Sequence, residues 1–252
     1  MARPSHAVAR TGIPETPPAA TVEAVTDVSQ WREDLAGLGP TEWPEYVETR
    51  SGLPGPRANL ALVGVVAERA DPAAVEALLA DGREYPAMCA AAAVARRSSD
   101  ASVEVTARAL AADERWRVRE GVALGLQLLG DTDPHAWRSI ASRWVDDPSP
   151  LVQRAAVAAI CEPRLLRTSE TAAAAVDVCA RATRHLAALP AEAARRPDAR
   201  TLRQALGYGW SVAVAADPGV GLGAFLALDT ELPDVAWIVR ENRRKKRLST
   251  LL

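Results

Sequence analysis

The chain is poor in aromatic residues and nearly devoid of lysine. Only 4% of its residues are aromatic, with a single Phe, and its only two Lys stand together at Lys245 and Lys246. The β-branched and aromatic residues that strands prefer are scarce beside Ala, which makes up roughly a fifth of the chain. Ala loses no side-chain entropy in a helix, so this composition excludes an all-β fold and predicts an all-α one. Three Cys (Cys89, Cys161, Cys179) show no C-x-x-C spacing and cannot all pair, which predicts reduced, buried thiols in a cytoplasmic protein. His6, His135 and His185 lie far apart with no H-x-x-x-H, so neither a metal nor a cofactor is expected. No run of about 18 apolar residues occurs, so no membrane-spanning helix is expected. Arg3 and Arg10 precede no apolar stretch, so no secretory signal is expected either.

What is present is an ordinary globular balance of 48% apolar and 25% charged residues over 252 positions. Residues 1–28, rich in Pro, Ala and Thr without a sustained period, read as a disordered arm. Residues 29–252 read as one helical domain of ten to twelve helices, each 10 to 20 residues long, joined by short turns. Leu60, Val63, Val66 and Ala67 fit one helical face, and Val118, Val122, Leu126 and Leu129 form the clearest stripe. Asp71-Pro72, Asp133-Pro134, Ser149-Pro150 and Asp217-Pro218 each offer a capping side chain followed by a residue suited to the first turn. Gly130 and Pro163 read as stop signals. Trp137 and Trp144, seven apart, fit the core face of one helix, with base or ligand stacking as the alternative.

The helices repeat. Asp113–Ala123 reads DERWRVREGVA and Asp147–Val157 reads DPSPLVQRAAV; aligning the two aspartates sets Glu120 on Arg154, an offset of 34 residues. A third copy, WIVREN at Trp237–Asn242, matches WRVREG at Trp116–Gly121. A period of 30 to 45 residues in helix pairs predicts an α-solenoid, whose units bury their apolar faces only by stacking.

These phrases resemble the HEAT-repeat superfamily over roughly residues 57–248. Within it, Trp116-x-x-x-Glu120, Val152-Gln153-Arg154-Ala155-Ala156 and Gln204-Ala205-Leu206-Gly207-Tyr208 followed by Asp217-Pro218 resemble the DNA-alkylation-repeat branch, which includes alkylpurine DNA glycosylases. The resemblance implies a carboxylate at Glu120, aromatic walls at Trp116 and Tyr208, and a phosphate clamp at Arg154. It departs from the family at Glu120, where the family has Asp, and at Tyr208, where it has Trp. The chemistry would be coherent. A cationic N3- or N7-alkylpurine leaves as a neutral base without a general acid, so a carboxylate stabilising the oxocarbenium-like sugar suffices. The alternative is architectural: Glu120 and Arg154 hold equivalent positions of adjacent repeats and can pair across the stack.

The net charge of −2 averages two unlike parts. Residues 1–149 carry 15 basic and 22 acidic side chains, and residues 150–252 carry 15 and 10. Arg240, Arg243, Arg244, Lys245, Lys246 and Arg247 crowd six positive charges into eight residues, more than capping a helix C-terminus requires. With Arg154 and Arg203 they are the candidate nucleic-acid contacts. Three readings remain open: a monomeric helical-repeat module that binds duplex DNA, a monofunctional glycosylase for cationic alkylpurines, and a protein–protein scaffold. Gly209-Trp210-Ser211-Val212-Ala213 is one residue short of a nucleophile elbow, and Gly219, Gly221 and Gly223 follow no strand, so both predict helix packing instead.

Overall fold

The computed structural model describes residues 19–55 and 57–252. Among these residues the fold is all-α, with fifteen α-helices, one short 3₁₀ turn and no strand. The helices that matter below are α1 (Ala19–Gly37), α3 (Leu60–Arg69), α4 (Pro72–Ala80), α5 (Glu84–Arg96), α6 (Ala101–Leu110), α7 (Trp116–Thr132) and α8 (Pro134–Trp144). They continue with α9 (Pro150–Ile160), α10 (Ser169–Ala187), α11 (Ala191–Ala194), α12 (Pro197–Ala216), α13 (Pro218–Leu226), α14 (Pro233–Arg243) and α15 (Lys246–Ser249). The excess over ten to twelve comes from short segments such as α11 and α15, four residues each. Residues 1–18 of the expected arm lie outside the described residues, and the expected boundary at residue 28 falls inside α1.

Helices α3, α5, α7, α9, α12 and α14 touch one another in that order. Against this series lie α4 and α6 on α5, α8 on α7 and α9, α10 on α9 and α12, and α13 on α12. The proline starts hold: α4, α8, α9 and α13 begin at Pro72, Pro134, Pro150 and Pro218. Asp71, Asp133 and Asp217 accept hydrogen bonds from the backbone N–H groups of the turns that follow, whereas the Ser149 side chain makes no capping bond. Gly130 does not stop α7, which runs on to Thr132. Its missing side chain makes room for Leu165 and for the Trp137 ring, whose nearest atoms would stand 2.8 and 3.1 Å from a β-carbon there. Of the three glycines in α13, only Gly221 allows a close approach, to Val214 of α12.

A second punctuation recurs ahead of α5 and α7. Asp81 and Asp113 each accept from the backbone N–H two residues on and hold that residue's guanidinium, Arg83 or Arg115, in a two-pronged pair. Asp147 makes the same backbone bond to Ser149 ahead of α9 and takes its arginine from α6, Arg108. These aspartates set the entry angle of three successive helices of the series.

The core centres on α5. Every residue from Tyr85 to Ala95 is buried. One side of the helix (Ala87, Ala91, Val94, Ala95) joins the core that runs on through Val118, Val122, Leu126 and Leu129 to Trp210 and Ile238. The other side (Tyr85, Met88, Cys89, Ala92) joins the core built from Leu35, Trp43, Val63 and Leu78. Trp137 and Trp144 are both core residues, at 1% and 2% exposure. Leu60 departs from its predicted stripe: it is exposed at the first turn of α3, while Val63, Val66 and Ala67 are buried.

Two expected outcomes follow. Gly125 faces the Ala92 carbonyl and lies 2.7 Å, measured from a built β-carbon, from Ala95, so Gly125→Val should destabilise by about 3 kcal/mol through overpacking. Gly64 in α3 has nothing within 4 Å of the same position, and Gly64→Ala should stabilise by about 0.5–1 kcal/mol; urea unfolding of both variants tests the contrast. The second outcome concerns acid. The side-chain hydrogen bond from Arg115 holds the Asp113 carboxyl below its ordinary value, against the opposing effect of burial. The stability this supplies is complete above the unfolded pKa of about 3.9 and is lost as pH falls through the lower folded value. Asp113→Asn should therefore be less stable than the parent at neutral pH, and the gap between the two should close as pH drops below about 3.9.

Candidate functional site

Trp116, Glu120, Arg154 and Tyr208 come together on one surface, although they belong to α7, α9 and α12. Trp116, Arg119 and Glu120 stand at i, i+3 and i+4 on the first turns of α7, so they share a face. The Ala-rich insertion between Arg154 and Tyr208 is taken up by α10 and α11, and α9 still contacts α12 directly. Two pockets adjoin there. One, of about 290 Å³, has Met88, Leu124, Val157 and Cys161 as apolar walls and Glu120, Gln127, Arg154, Glu162 and Tyr208 as polar ones. The other, of about 360 Å³, is lined by Trp116, Arg119, Glu120, Arg154, Thr201, Gln204 and Ala205. Glu120, Arg154 and Ala205 line both and form the shared wall.

That wall is an ion pair. The Arg154 guanidinium donates to Glu120 and, at 3.4 Å, to the Arg119 carbonyl. The two side chains thus pair across neighbouring helices of the series, as their equivalent repeat positions allow. The Arg154 side chain is 13% exposed and that of Glu120 40%, so the carboxylate keeps an open side toward the pockets. Similar pairs join other neighbours at related offsets: Arg117 to Glu84 at 2.7 Å, Arg164 to Asp131, and Arg143 to Glu104 at 2.6 Å. At these exposures each is worth about 0–1 kcal/mol.

Arg119, Gln127, Thr201 and Gln204 escape a reading by motif. Arg119 is the most consequential. Its guanidinium donates to the carbonyl oxygens of Asp113 and Glu114, so among the described residues it forms no ion pair with a carboxylate. Burial, and after it the neighbouring Arg154 charge, lower its pKa from the usual arginine value. Its place three residues after Trp116 is the signal that could have found it.

The aromatic walls are open. Trp116 is 54% exposed, with the Arg117 guanidinium 4.5 Å from its ring centroid. Tyr208 is 45% exposed and is held by the basic segment: Arg247 donates to its hydroxyl at 3.1 Å and lies 4.9 Å from the ring centroid, and Lys245 lies at 6.0 Å. This segment is not one terminal helix. α14 ends at Arg243, and Lys246 and Arg247 belong to α15, which buried Leu248 anchors and which packs on α12. Arg240, Arg243, Arg244, Lys246 and Arg247 are exposed, and Arg244 pairs with Glu241. Arg203 differs from the other predicted contacts. It is tied to Asp234 and lies over the Trp237 ring, where it joins α12 to α14.

The remaining motifs resolve into packing. Ser211 is fully buried in α12 and donates to the Tyr208 carbonyl, so it is no exposed nucleophile. Its N–H donates to Asn242, a buried amide that also donates to the Leu206 and Ile238 carbonyls and so ties α14 to α12. Cys89, Cys161 and Cys179 are free and buried. Among the described residues no cluster of potential metal ligands occurs, and no helix is long and apolar enough to cross a membrane. Comparison with protein-family models, with curated proteins and with solved structures gives no match for this chain.

Proposed function

We propose that this chain is a HEAT-like α-solenoid that binds duplex DNA across the surface carrying the two pockets and the basic C-terminal segment. One observation carries the reading: Tyr208, which lines a pocket, is also the residue that Arg247 and Lys245 contact. The densest positive charge of the chain therefore adjoins one of the two pockets at Tyr208. Cations there neutralise backbone phosphates and release counterions, while an open aromatic beside them offers a stacking face. The ordered series α3, α5, α7, α9, α12, α14 supports the solenoid form, in which such a surface is the natural binding face.

A second reading is favoured by the convergence of Trp116, Glu120, Arg154 and Tyr208: excision of cationic alkylpurines from DNA. Glu120 would stabilise positive charge developing on the deoxyribose, and the two aromatic faces would meet the cationic base. Against it stands the engagement of Glu120 with Arg154.

Duplex binding should weaken steeply as salt rises. Replacing Arg243, Lys246 and Arg247 by Ala should weaken it equally for unrelated sequences and lower the salt slope by about one for each phosphate left without its cation. Fluorescence anisotropy over a salt series measures this, and the absence of duplex binding at low salt would leave the scaffold reading in its place. Incubation with duplex containing N7-alkylguanine or N3-alkyladenine tests excision. Release of free base that Glu120→Gln slows by about 10²-fold or more would establish the glycosylase, and intact DNA would dismiss it for those lesions.

A further inference from the structure

We infer that Cys161 and Cys179 form an oxidisable thiol pair, which a hydroperoxide entering the pocket between Leu124 and Tyr208 converts to a disulfide joining the end of α9 to α10. Neither thiol takes part in the DNA-binding reading above. The two sulfurs stand 3.5 Å apart and share a hydrogen bond. A disulfide holds its sulfurs at about 2.0 Å, so a shift of about 1.5 Å closes the bond. Cys161 is placed to supply that shift. It is the first residue past α9, with φ −84° and ψ 48°, and α10 does not begin until Ser169. Cys179 lies within α10 and is fully buried. Gly209 of α12 faces both sulfurs. A β-carbon there would stand 3.2 Å from the Cys161 sulfur and 3.5 Å from that of Cys179, so its absence leaves the pair room to rearrange.

Access sets the order of events. Cys161 and Gly209 line the pocket and Cys179 does not, while Cys89 lies in the other core. Hydrogen peroxide has roughly the bulk of two waters, at about 30 Å³ each, and fits a cavity of this size. The proton arrangement agrees. The hydrogen bond with Cys161, and after it burial, hold the Cys179 thiol well above the ordinary thiol value. Cys179 therefore stays protonated and donates its S–H, which leaves Cys161 as the sulfur that ionises and attacks. Arg154 lines the same pocket with Glu120 and Glu162, so no net positive charge favours the thiolate, and the reaction should be slow beside that of a thiol next to a free cation. The Cys161 sulfur attacks one peroxide oxygen; the S–O bond forms, the O–O bond breaks, and the departing hydroxide takes up the proton that Cys161 released. The Cys179 sulfur then attacks the resulting sulfenic acid; the S–S bond forms, the S–O bond breaks, and hydroxide leaves with the Cys179 proton as a second water. Two thiols are oxidised and one peroxide is reduced to two waters. Cys161, Glu162 and Pro163 all line the pocket, so the new bond moves its wall.

Hydrogen peroxide added to the folded full chain tests this. It should remove two of the three thiols and lower the mass by two hydrogens, and dithiothreitol should restore both thiols. Trypsin places Cys161 on residues 155–164, Cys179 on 168–181 and Cys89 on 84–96, so mass spectrometry reads each cysteine separately. The expected product is the crosslink of 155–164 to 168–181, with Cys89 still a thiol. Cys161→Ser should leave Cys179 reduced. Cys179→Ser should halt Cys161 at the sulfenic acid, which a cyclic 1,3-diketone traps. Thermal melts verify that each variant folds, and the parent's own crosslink map decides where a variant does not. Cys161 that stays reduced under peroxide that oxidises free cysteine in the same solution overturns the pair, as does its passage to sulfinic acid without the crosslink. Loss of all three thiols at one rate overturns it too, because Cys89 is fully buried and is reached only through unfolding.

Discussion

The approach of α7 to α5 is the constraint on which the rest of the molecule depends. Gly121 and Gly125 set the α7 backbone against the carbonyls of Met88 and Ala92, where a β-carbon would clash. Side chains at a helix contact ordinarily hold the axes about 8–10 Å apart, and here two glycines of α7 meet the backbone and alanine β-carbons of α5. Two consequences follow. α5 must carry small residues on both sides, because it serves two cores at once, and its run of four consecutive alanines meets that need. The first turn of α7 is also fixed, because Glu120 directly precedes Gly121. A carboxylate whose backbone cannot shift is well placed for a charge role, whether against a sugar, a phosphate or its own arginine.

Much of this fold is legible in the chain. The Ala excess identifies the class, Asp-Pro and Ser-Pro mark helix starts, and the Val118–Leu129 stripe is buried throughout. Gly130 shows where such reading stops. A glycine after an apolar stripe ordinarily ends a helix, but here it accommodates a tryptophan from the next helix, a tertiary fact that local pattern does not contain. The Lys246–Ser249 helix eludes composition for a similar reason. What defines it is one leucine, Leu248, docking on α12, while the charges around it suggest only a solvated end. The four residues named by resemblance do share a surface. Their partners Arg119, Thr201 and Gln204 were hidden because they are ordinary surface residues until three helices meet. The pairing of Glu120 with Arg154 was open from the 34-residue offset alone, but which side of the pair faces a pocket was not.

The phrase W-x-V-R-E occurs twice, and the contrast between its copies separates architecture from function. In α14, Trp237 packs down on Gly207, where its ring would come within 2.6 Å of a β-carbon, and the Arg203 guanidinium lies over the ring; Glu241 pairs with Arg244 at the surface. In α7, Trp116 stays more than half exposed, and Glu120 reaches instead to Arg154 of the neighbouring helix. Identical residues thus close one surface and open another. What differs is the neighbour: α14 meets a glycine that admits its indole, whereas the α7 indole remains at the rim of a polar pocket. The repeat accounts for why the residues are there, and the exposure of the α7 copy is what requires a further reason. An unburied tryptophan at the rim of a pocket that two arginines line forgoes the burial that its twin secures, and a ligand that brings both a stacking face and negative charge would return it.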